Sequence, residues 1–128
     1  MLALILYFLV VTFNFNIEDS MQIKDDVVMA GLKPPMRKVL ISADKVWRDF
    51  GQELVVTGAL DGAHSAGSLH YYGFALDLRT RYFHDDVEKK MVKKELQSLL
   101  GDDYDVVLHK SHIHVEFDPK GDKNEFME

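Results

Sequence analysis

The sequence predicts an α+β fold: a small antiparallel sheet with two main helices packed against it. Three observations carry this. Apolar residues from Met36 to Phe50 recur at three- and four-residue steps, the spacing of one helical face. The segments 74–79 and 112–117 alternate polar and apolar, the period of a strand with one buried side. The apolar, β-branched run Tyr104 to Leu108 is separated from His112 by a tight turn only, so the last two strands read as a hairpin. With 128 residues, the chain is long enough for one domain with a single core and too short for two of ordinary size.

The first fifteen residues, Met1 to Phe15, are almost uninterruptedly apolar. The run is shorter than the roughly 20 residues of a spanning helix. It has the length of a signal-peptide core but lacks a basic leader and a small-x-small cleavage site. Three readings stay open: an atypical export signal or membrane anchor, an edge strand or core segment, or an extension upstream of a domain that starts at Met21. Residues 1–20 are therefore set apart from a domain spanning 21–128, and membrane contact is expected only through the apolar run.

Pro34-Pro35 opens a helix over about 34–51, since proline is favoured at the first helical position. Met36, Val39, Leu40, Ala43, Val46, Trp47 and Phe50 form its core stripe, and Gly51 stops it. Leu54 to Thr57 is a short β-branched strand. Ala59 to Leu69 is a Gly/Ser/Ala-rich loop, and Phe74 to Arg79 is a second strand. Asp85 or Asp86 caps a second helix that runs to Leu100 before Gly101. Val87, Met91, Leu96, Leu99 and Leu100 are its expected buried side, and its Lys/Glu face is solvated. The tail after Pro119 is polar.

Composition narrows the function classes. Apolar residues are 47% and charged residues 28%, an ordinary soluble globular mixture. Net charge is −6, and no Lys/Arg cluster with interleaved aromatics appears, which argues against nucleic-acid binding. There are no cysteines, so disulfides, thiolate-held zinc and a thiol nucleophile are excluded.

The chemistry concentrates in two motifs. Ser68-Leu-His-Tyr-Tyr-Gly-Phe-Ala-Leu-Asp77 contains the pattern Ser68-x-His70-x-x-Gly73-x-Ala75-x-Asp77, and His112-Ile113-His114 follows near the C-terminus. Together they supply an imidazole, a carboxylate and one or two further imidazoles. That is the ligand set of a catalytic zinc site, where three protein ligands leave a position open for water. On a helix, His70 and Asp77 would stand about 10 Å apart, too far to share one ion. Gly73 argues instead for a bend that leads into a strand. Alternation then puts Ala75, Asp77 and Arg79 on one face and Phe74, Leu76 and Leu78 on the other. In the last strand His112, His114 and Glu116 share a face, opposite Ile113, Val115 and Phe117.

The first motif resembles that of the zinc D-Ala-D-Ala carboxypeptidase and L-alanyl-D-glutamate peptidase family, peptidase family M15. The family includes bacterial cell-wall enzymes and phage endolysins and shares its fold with the hedgehog signalling domain. The resemblance covers roughly Leu32 to Pro119. It implies that His70, Asp77 and a C-terminal histidine hold Zn²⁺. The family's register points to His114, with His112 beside the site or facing substrate, and the reverse assignment stays open. It implies hydrolysis of peptidoglycan stem peptides, in which a base takes a proton from water and returns it to the leaving amine. Ser68 is expected to orient His70 or to touch substrate.

The sequence also departs from the family. A Glu is expected a few residues before the last histidine ligand, as the general base. Here no carboxylate lies between Asp105 and Glu116, and His109 stands in its place. Neutral imidazole serves as a base near pH 7, so His109 is the first candidate and Glu116 the second. An arginine often found before the first motif is absent too, which leaves His64 or Arg79 for its place. Two principal functions follow: a zinc peptidase of bacterial cell-wall peptide, of the phage endolysin or virion kind, or a zinc-binding module of the same fold without catalysis, serving structure or recognition.

Overall fold

The computed structural model describes residues 21–61 and 68–120. It is α+β, with strand β1 (Gln22–Ile23), helix α1 (Pro35–Asp49), strands β2 (Val55–Gly58) and β3 (Ala75–Arg79), helix α2 (Asp86–Leu100) and strands β4 (Tyr104–Leu108) and β5 (His112–Phe117). The strands form one sheet in the order β1-β2-β3-β5-β4. Four strands are antiparallel as expected, but β1 lies parallel to β2, so the sheet is mixed. Both β1 side chains are exposed, which leaves no alternation to read. The strand exists through its backbone: Gln22 N–H donates to the Leu54 carbonyl and Lys24 N–H to that of Val56, at 2.8 and 3.0 Å.

Helix α1 forms where the proline pair and apolar stripe place it. Met36, Val39, Ala43, Val46 and Trp47 are buried. They join Leu76, Leu78, Ile113, Val115 and Phe117 in one core. Trp47 is fully buried, and its indole N–H donates to the Arg79 carbonyl at 2.8 Å. That bond pins α1 to the strand carrying Asp77.

The cap of α2 is Asp85, whose carboxylate accepts the Glu88 N–H at 2.8 Å. Its buried side differs from the sequence reading. Leu96 and Leu100 are buried as expected, together with Val92, but Val87, Met91 and Leu99 are 67%, 52% and 42% exposed. The helix touches only α1 and the edge strand β4 closely, so a single line at four-residue steps is covered. Val87 and Met91 lie about 100° or more around the helix from Val92.

The faces of β3 and β5 alternate as the sequence predicts. Leu76, Leu78, Ile113, Val115 and Phe117 are buried, and Asp77, Arg79, His112, His114 and Glu116 are half-buried on the other side. The bend before β3 is built by Gly73, at φ +78°. A Cβ there would run into the Gly31 carbonyl oxygen, while the Gly73 carbonyl accepts the Lys33 N–H at 2.9 Å. Gly73→Ala should therefore cost about 2–4 kcal/mol through left-handed strain and overpacking. At an ordinary slope this lowers the urea midpoint by about 1–2 M. An unchanged midpoint would show that the bend tolerates a side chain.

Candidate metal centre

Three motif residues converge on the sheet face opposite the helices. Asp77 and His114 are direct cross-strand partners in the β3–β5 register. His70 reaches them from the turn ahead of β3. His114 Nδ1 lies 3.1 Å from Asp77 Oδ1 and 3.1 Å from His70 Nε2, and His70 Nε2 lies 3.4 Å from Asp77 Oδ1. Among the described residues, His70, Asp77 and His114 are the group whose ligand atoms come close enough to share one metal ion. A tetrahedral site with ligands at about 2.0–2.1 Å has edges of about 3.3 Å, so the observed spacing needs little adjustment to take an ion.

The surroundings set each ligand atom. His70 is buried, and its Nδ1–H donates to the Ala59 carbonyl at 2.7 Å. This fixes the neutral tautomer that leaves a bare lone pair on Nε2, the arrangement typical of a metal-bound histidine. The Ser68 hydroxyl accepts the His70 backbone N–H at 3.2 Å. The β2 bulge between Val56 and Gly58 sets Gly58 opposite Asp77. A Cβ on Gly58 would stand 2.7 Å from Asp77 Oδ2, so the missing side chain makes room for the carboxylate.

The electrostatics suit a cation. His70 Nε2 and Asp77 Oδ1 are both acceptors and share one donor, His114 Nδ1–H. Burial alone would raise the Asp77 carboxyl, but the His114 hydrogen bond and the neighbouring His70 and His112 outweigh it and hold the group well below the usual carboxylate range. The same Asp77 bond raises His114 above the ordinary imidazole value. Burial lowers His112, overcoming the pull of Asp77. A metal ion would replace the shared proton as the charge balancing Asp77.

The other predicted residues lie around this triad. His112 Nε2 is 3.8 Å from Asp77 Oδ1, outside the converging group, and the His112 ring stacks on His109 with centroids 4.7 Å apart. His109 is exposed in the β4–β5 turn, its ring centroid 6.4 Å from that of His114. Glu116 Oε2 stands 3.6 Å from His114 Nε2, on the side of the ring away from the other ligands. It is placed to orient that ring. Arg79 pairs with His112 in the register and lies on the site face. His64 lies outside the described residues, as do residues 1–20. No helix among the described residues is long and apolar enough to cross a membrane.

Sequence reading missed the Ala59 carbonyl and Gly58. Neither contributes a side chain, so no residue-type signal marks them beyond the glycine at a strand end. No protein-family model matches the chain, and no curated protein matches it.

Proposed function

We propose that the protein is a zinc metallopeptidase acting on peptide bonds of bacterial peptidoglycan stem peptides. The observation that carries the reading is the convergence of His70, Asp77 and His114 on a partly exposed sheet face. Two imidazoles and one carboxylate match the donor set of catalytic zinc, and three protein ligands leave a coordination position free. Asp77, His112 and His114 retain 18%, 33% and 20% side-chain exposure, so solvent reaches the centre. The substrate class rests on the family resemblance of the two motifs.

Bound zinc would supply a nucleophile at neutral pH and polarise the scissile carbonyl. The chain's own residues do the rest. His70 is held by Ala59 and Ser68, and His114 by Asp77 and Glu116. His109, stacked on His112 at the rim, is the base that takes and returns a proton. Tyr71 and Tyr72 follow His70 directly and are exposed, available as walls for a peptide.

Incubation of zinc-loaded protein with purified muropeptides should release fragments detectable by mass spectrometry. Intact muropeptides after prolonged incubation would reject the enzyme. One observation favours the second reading, a zinc-binding module without catalysis. Among the described residues, the two carboxylates beside His114 are Asp77 and Glu116, and Glu116 is turned toward the His114 ring.

Zinc must displace the proton of His114, whose pKa Asp77 raises above 6.5. Zinc affinity should therefore climb at least about tenfold per pH unit to a breakpoint above 6.5 and flatten beyond it. Calorimetric titration across pH 5.5–8.5 measures this. A breakpoint below 6.5 would contradict the Asp77–His114 coupling.

A further inference from the structure

The strongest unassigned surface lies on the other side of the sheet edge, between α2 and β4. An open groove of about 820 Å³ runs there, with Lys90, Lys93, Lys94 and Gln97 on the helix side and Val106 and Leu108 on the strand side. The chain carries a net charge of −6, yet these three lysines make no ion pair among the described residues. A fourth, Lys89, is engaged elsewhere: it donates to the Lys110 carbonyl and pairs with Asp86 at 4.0 Å.

β4 is also the edge of the sheet. His109 N–H donates to the His112 carbonyl and Asp118 N–H to that of Asp103, both at 2.8 Å. In an antiparallel pair alternate residues exchange bonds with the partner strand. Asp105 and Val107 therefore bond to β5, while Tyr104, Val106 and Leu108 turn their backbone groups outward. The Tyr104 carbonyl is taken by Gln97 Nε2 at 2.9 Å, and its N–H faces the Gly101 carbonyl. The outward groups of Val106 and Leu108 have no partner among the described residues, and these are the two strand residues of the lysine groove.

The geometry points to an acidic peptide segment that adds to β4 as a sixth strand, and we infer that this groove is its docking site. The outward groups of Val106 and Leu108 would supply main-chain hydrogen bonds, and pockets for alternate side chains supply selectivity. Lys90 and Lys94 are four residues apart on α2, about 6 Å along the helix. Side chains on one face of a strand repeat every 6.6–6.8 Å or so. A peptide with carboxylates at alternate positions thus matches the lysine row, and the intervening backbone meets Val106 and Leu108. This inference is independent of the metal centre and of the peptidase reading.

The probe is a blocked hexapeptide of alternating glutamate and valine, with the lysine-valine peptide as control. It is titrated into the full-length protein and followed by amide NMR and hydrogen exchange. The acidic peptide should bind, shift the Val106 and Leu108 amides and slow their exchange at least tenfold, with the control inert. The surface variant Lys90→Glu/Lys94→Glu should weaken the acidic peptide at least tenfold and prefer the lysine peptide, while keeping the circular dichroism spectrum. Three results would overturn the proposal. One is no binding at millimolar peptide. Another is binding unchanged by the charge reversal. The third is protection of the two amides that rises with protein concentration alone, which would assign the edge to a second copy of the chain.

Discussion

His70→Ala is expected to strip the protein of metal. Purified wild-type protein should carry about one equivalent of zinc by elemental analysis, and the variant close to none. Apparent zinc binding energies of about 10–16 kcal/mol, shared among three or four ligands, put about 3–4 kcal/mol on each, a loss on the order of 10²–10³-fold in affinity. The loss at His70 belongs at the upper end. Its ring is the buried member of the triad, and the Ala59 carbonyl that orients it would lose its donor. Asp77→Ala should behave alike, because it removes the carboxylate that lies within 3.4 Å of both imidazoles. His112→Ala should retain the metal, since its Nε2 stands 3.8 Å from Asp77 Oδ1 and outside the converging set. Full zinc retention in both His70→Ala and Asp77→Ala would sink the assignment. Iron in place of zinc would move the site to a different chemistry, because two histidines and one carboxylate also suit Fe(II).

The second large effect concerns His109. If this ring moves the proton, His109→Ala should cost 10²–10⁴-fold or so in turnover while leaving zinc content unchanged, the size expected for a lost general base. His109→Glu should keep or raise the rate, because it restores the carboxylate that the family resemblance leads one to expect. The stacked His109–His112 pair, 4.7 Å between centroids, places the side chain at the rim of the centre without making it a ligand. An inert wild type awakened by His109→Glu would identify a lapsed peptidase and favour the binding module. An active enzyme indifferent to His109→Ala would transfer the role to Glu116. That residue stands 3.6 Å from His114 Nε2, so its own substitution should also disturb metal affinity, and the two roles separate in a joint assay of zinc content and rate.

Much of the centre was legible because strand alternation is a local rule. A period of two puts Asp77 with Arg79 on one face, and His112 with His114 and Glu116 on one face, and the burial pattern agrees. The hairpin was equally local, set by a short turn between two runs. Other features were not legible. The exposed β1 side chains left no pattern, and the pairing with β2 depends on backbone groups far apart in sequence. Val87, Met91 and Leu99 look like core residues by composition, yet α2 covers only the line through Val92, Leu96 and Leu100.

The sequence by itself determined which side chains can bind a metal, pointed through Gly73 to a bend between His70 and the next strand, and set Asp77 and the histidine pair on polar strand faces. These follow from residue chemistry and from the fixed periods of helix and strand. Only the tertiary structure shows which of the two histidines joins His70 and Asp77 in a group that could hold a metal ion. Register sets His114 opposite Asp77 and leaves His112 stacked on His109, and a shift of one residue would have turned these side chains to the other face. It also decided that His70 presents Nε2, through the Ala59 carbonyl, and that Glu116 faces His114. Register and helix docking come from contacts between residues distant along the chain, and no local period encodes them.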